Sequence, residues 1–166
     1  MNEWVPVISA FVGALVAGFL SYRAAAIRLS KEETAEKRAI ILQKLEETHQ
    51  VVRSIRQSYR ESIVHMIRFL LVNQSESSAS VPIEIDRLQM LVGFYFPSIL
   101  SLVEVLETEQ HRFGSVIAES IVAATKPNAA RQALADSVVQ QGNKIDAACN
   151  ELMKAVTLLA RDHFKL

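Results

Sequence analysis

The sequence predicts an all-α protein in which an N-terminal transmembrane helix is followed by a long antiparallel three-helix bundle or coiled coil. Three observations predict it. Residues 4–22 (WVPVISAFVGALVAGFLSY) carry no charge and lead into a basic run. No Gly or Pro occurs between Gly18 and Pro82, so the chain there holds nothing that interrupts a helix. Beyond that run, apolar positions recur by threes and fours almost to the C-terminus.

The first element is the span. At about 1.5 Å rise per residue, residues 4–22 cover roughly 28 Å, the hydrocarbon thickness of a bilayer. Trp4 and Tyr22 bracket the run as interfacial aromatics. Val5, Val7, Ile8, Phe11, Val12, Leu15, Val16, Phe19 and Leu20 together favour insertion by about 3–5 kcal/mol before the small and polar residues subtract. A cleaved signal peptide competes, with Ala24-Ala25-Ala26 imitating a cleavage site. Such a peptide starts with basic residues, and Met1-Asn2-Glu3 contains none, so the retained span is the better reading.

Ala10, Ala14 and Gly18 recur every four residues, with Gly13, Ala17 and Ser21 as the adjacent stripe. Small-xxx-small stripes let membrane helices approach closely, so this set is the expected self-association face. The basic residues lie only on the C-terminal side: Arg23, Arg28, Lys31, Lys37 and Arg38. The positive-inside rule then places the N-terminus outside and the rest in the cytoplasm of a bacterial inner membrane. The single cysteine, Cys149, suits a reducing compartment. In the juxtamembrane segment 23–29 and just beyond, Arg23, Arg28 and Lys31 would meet anionic headgroups, at about 1 kcal/mol each.

The bundle is expected over residues 30–166. Its first helix, near 30–72, carries the seam Ile41, Leu45, Thr48, Val52, Ile55, Tyr59, Ser62, Met66 and Phe69. A capping box Ser30-x-x-Glu33 could start it afresh; continuity with the span is favoured, because residues 23–29 contain no helix breaker. NQSESSAS at 73–80 reads as a turn. The second helix, near 82–125, is capped by Ser80 with Pro82 in its first turn. Its seam runs Leu88, Val92, Tyr95, Ile99, Leu102, Leu106, Gln110, Phe113, Ile117 and Ile121. That register crosses Pro97 without a slip, so Pro97 is read as a kink within one helix. After Lys126-Pro127-Asn128, the third helix, near 128–164, continues with Leu134, Val138, Gln141, Ile145, Ala148, Leu152, Val156 and Leu159. Folding back three such helices sets Tyr59, Tyr95 and Leu159 in one layer, and Ile41, Phe113 and Gln141 in another. Gly93, Gly114 and Gly142 fall inside periodic segments and read as close-packing points.

Chemistry is harder to find. The formal net charge is zero, which gives no nucleic-acid signature. Residues 23–72 hold ten basic against six acidic side chains, residues 73–125 two against seven, and residues 126–166 six against four. Helices of such complementary charge can pair with one another. Arg53, Arg56 and Arg60 share a face that could meet an anionic partner, with a solvated or internally paired face as the better reading. Glu46-x-x-His49 has a di-iron spacing, but that site needs a second such motif and two inward glutamates, so no metal, cofactor or catalytic residue is assigned. Cys149 has no identifiable His partner and reads as a small apolar residue. Thr48, Gln110 and Gln141 are polar groups in the seam, where they can fix register.

The span WVPVISAFVGALVAG, taken with the later Tyr95-Phe96-Pro97 helix, resembles small bacterial and prophage single-pass membrane proteins with a cytoplasmic helical domain. The resemblance covers the span and some fifteen later residues and carries no activity over. The expected function is non-enzymatic: a single-pass anchor presenting a bundle for self-association or recruitment. Its partners would be the lipid bilayer, a homo-oligomer and a cytoplasmic protein, with no nucleic acid. A pore-forming effector of a toxin or defence system, or a ligand-sensing signalling bundle, are the alternatives.

Overall fold

The computed structural model describes the backbone of residues 5–72, 84–126 and 130–164. It describes the side chains in those ranges up to residue 163, except those of residues 5–20, 22, 24 and 26. Every regular element described is helical: α1 (Val5–Val72), α2 (Ile85–Tyr95), a 3₁₀ turn (Pro97–Ile99), α3 (Leu100–Ala124) and α4 (Arg131–Phe164). Two compact units divide the chain, Met1–Leu42 and Gln43–Leu166.

In the first unit Ser30 starts no helix. It lies inside α1, where its hydroxyl donates back to the Ile27 carbonyl at 3.0 Å and its own carbonyl accepts from the Thr34 hydroxyl at 2.7 Å. Every described side chain from Ser21 to Ile40 is exposed. A surface pair, Lys37 with Glu33 at 2.6 Å, follows the i,i+4 spacing that modestly supports a helix without tertiary contacts. Among the described residues, no helix is long and apolar enough to cross a membrane. The side chains of residues 4–20, on which the span expectation falls, lie outside the described set.

The second unit is a helical bundle, and it differs from the expected one in three respects. It starts at Gln43 rather than residue 30, and among the described side chains of α1 the first buried one is Leu45. Among the described residues it draws on four α-helices rather than three. The expected 82–125 helix is divided at Pro97, which reverses the chain instead of kinking it. Phe96 adopts φ −138° and ψ 53°, outside the helical region that the residue before a proline avoids. Its N–H still donates to the Val92 carbonyl at 2.8 Å, closing α2, and the Ile99 N–H donates to the Phe96 carbonyl at 3.0 Å, opening the next turn. Gln89 Nε2 on α2 then donates to Glu107 Oε2 on α3 at 2.7 Å. Residues eighteen apart on one straight helix would stand roughly 27 Å from each other, so α2 and α3 are antiparallel neighbours.

The remaining directions follow from contacts between helices. Arg56 and Arg60 on α1 meet Asp146 on α4, while Ile63 faces Gly142, so α1 and α4 run antiparallel. Gln141 on α4 donates to Glu109 on α3, across the 3₁₀-like turn ending at Lys126. Taken in chain order, α1, α2, α3 and α4 alternate up and down. The layers expected from a three-helix fold are therefore not formed. Tyr59 stands edge-on to Phe113, with centroids 5.4 Å apart, and Tyr95 lies under the Lys44 ammonium at 5.6 Å.

The core is drawn from all four helices: Val52, Ile55 and Leu70 on α1, Leu88 and Val92 on α2, Val103 and Leu106 on α3, and Val138, Ile145 and Leu152 on α4. Alpha2 has eleven residues, too few to match the longer helices around it. It starts after Glu84, which makes no side-chain cap bond, and Asp86 in its first turn favours the positive end of the helix. The expected caps Ser80 and Asn128 lie outside the described residues. Of the three glycines, only Gly142 is a close-packing point. A Cβ there would stand 2.2 Å from Ile63 Cδ1, whereas a Cβ on Gly93 or Gly114 would meet nothing within 4 Å.

Candidate functional site

The expected contact face and interface residues fall in and just after the first turns of α1. Ala10, Gly13, Ala14, Ala17 and Gly18 are on its helical backbone, so their i,i+4 spacing aligns them along the axis; their side chains lie outside the described residues. Trp4 and the Tyr22 side chain also lie outside them. Ser21, Arg23, Arg28 and Lys31 are described, and all four are exposed.

Within the bundle the most organised polar group is one that sequence reasoning did not single out, Asp146. Arg56 grips its carboxylate with two prongs, Nε to Oδ1 at 2.6 Å and Nη2 to Oδ2 at 2.8 Å. Arg60 adds a bond to Oδ1 and Asn150 one to Oδ2. The Arg56 bond, seconded by Arg60, holds the carboxyl below its ordinary pKa. Such charge-assisted, bidentate pairs are among the stronger surface bonds, and this one ties α1 to α4. Arg56 and Arg60 are therefore internally paired, one of the readings their shared face allowed.

Deeper in, Tyr59 is only 4 % exposed, and its hydroxyl has no hydrogen-bond partner among the described residues. Burial raises its pKa far above the ordinary tyrosine value. Cys149 is fully buried, and burial, with Asp146 adding to it, pushes its thiol up to about 12. A thiol held neutral in this way is a poor nucleophile, which fits the reading of Cys149 as a small apolar residue. Of the seam polar residues, Thr48 is buried and donates to the Lys44 carbonyl at 2.7 Å. Gln141 is buried too, and its Nε2 donates to Glu109 Oε2 at 2.7 Å and to the Glu109 carbonyl at 3.2 Å. Gln110 is half-buried.

A second polar group sits where α2 joins α1. Glu47 accepts from Lys44 at 2.8 Å and from Arg87 at 2.9 Å, and these two bonds, the Lys44 one first, lower its pKa. Glu46 is exposed and His49 half-exposed, so the di-iron spacing converges on nothing. Among the described residues, no three His, Cys, Asp or Glu side chains gather as metal ligands would.

The bundle surface offers two further features. A groove of about 330 Å³ opens between α1 and α3, lined by Tyr59, Ser62, Gln110, His111, Gly114 and neighbours. On α2, Met90 and Phe94 point outward one turn apart, and Phe94 is 79 % exposed.

Compared with known proteins, the chain matches no family model, no curated protein and no solved structure.

Proposed function

We propose that the protein is a non-enzymatic, single-pass membrane protein that self-associates through its first turns and presents the helical bundle to a cytoplasmic partner. The observation that carries this reading is the charge-free run of residues 4–22, borne on a helix that begins at Val5 and followed by the exposed Arg23, Arg28 and Lys31. A helix with that composition partitions into a bilayer, and a basic exit on one side only orients it with residues 23–166 in the cytoplasm. Small residues at four-residue intervals then supply a close-contact surface between spans. The bundle supports the second half of the reading: its strongest polar contacts, around Asp146 and Glu47, join one helix to another and so hold a surface in shape.

Two measurements on the intact chain test this. After expression in bacteria and an alkaline carbonate wash, the protein is expected in the membrane pellet; recovery in the wash would overturn the anchor. With donor- and acceptor-labelled chains in bilayers, energy transfer is expected to fall at least several-fold for Gly18→Ile. Transfer unchanged in both Gly13→Ile and Gly18→Ile would reject the proposed contact face while leaving the anchor standing.

A further inference from the structure

We draw no further inference here: the strongest candidate, the open groove between α1 and α3 at Tyr59, Ser62, His111 and Gly114, is a surface of mixed polarity for which nothing in the structure shows what covers it.

Discussion

Residues 23–42 and 43–72 belong to the same helix, yet they are held by different physics. In the first stretch every described side chain up to Ile40 is exposed, apolar Ile27 and Leu29 included. In the second, Leu45, Thr48, Val51, Val52, Ile55, Tyr59, Met66 and Leu70 form one buried stripe. Isolated helices are marginal in water, and most helical stability in proteins comes from burying a face. The upstream stretch therefore relies on the lack of a breaker and on pairs such as Lys37 with Glu33, while the downstream stretch relies on α2, α3 and α4.

The sharpest way to break the comparison is to remove apolar volume from each side of it. Leu70 is fully buried on α1, and Leu70→Ala should cost the bundle about 2–5 kcal/mol in denaturant unfolding of the intact protein. Ile27→Ala, on the exposed stretch, should change the same transition by less than about 0.5 kcal/mol. Equal effects from the two would mean that the stretches are not held differently.

A smaller effect is expected from the tie between α1 and α4. Asp146→Asn removes the charge that Arg56 and Arg60 share; both Asp146 and Arg56 remain about a quarter exposed, at 27 % and 25 %, so solvent screens part of the loss. We expect about 1–2 kcal/mol at neutral pH. Because the folded carboxyl titrates below its ordinary 3.8, its contribution is complete above the unfolded value and is lost as pH falls through the folded one. The difference between wild type and Asp146→Asn should hold steady from about pH 7 to 5 and shrink below about pH 4. Glu47, also lowered, titrates in both proteins and cancels. A difference that stays constant down to pH 2 would mean that Asp146 acts through shape and not through charge.

These pairs also show what was legible in the residues alone. The α1 and α4 stripes were legible because long, uninterrupted helices display their buried face as a clear period: Leu45, Val52, Ile55 and Tyr59, then Val138, Gln141, Ile145 and Leu152 all fall where that period puts them. The middle of the chain was not. Two antiparallel helices facing one core can carry a nearly continuous stripe across their turn, so Leu88, Val92, Ile99 and Leu106 could not distinguish a kink from a reversal. Phe96 and Val103 are buried where Tyr95 and Leu102 were expected, while Ile99, Leu106 and Phe113 are buried at their expected positions. Asp146 was missed for a related reason, since pairing it with Arg56 requires the relative register of two helices ninety residues apart. For the N-terminal contact face, composition and backbone spacing are all that supports the assignment.

Two glycines within helices, Gly142 buried and Gly114 exposed, give the finest test. Alanine in place of glycine inside a helix is worth about 1 kcal/mol, mostly through backbone entropy. At Gly142 that gain meets a collision, because the new methyl would lie 2.2 Å from Ile63 Cδ1 and 2.9 Å from Cγ1. Overpacking costs about 1–3 kcal/mol, so Gly142→Ala should come out destabilised by about 1 kcal/mol. Restoring room with Ile63→Ala should bring a favourable coupling between the two changes in a double-mutant cycle. At Gly114 there is no atom to collide with, so the entropy gain stands alone and Gly114→Ala should stabilise the bundle by about 0.4–1 kcal/mol. Opposite signs at the two positions would tie each glycine to its neighbours. Stabilisation at both would mean that Ile63 swings aside at little cost, and that α1 and α4 do not need a bare backbone where they cross.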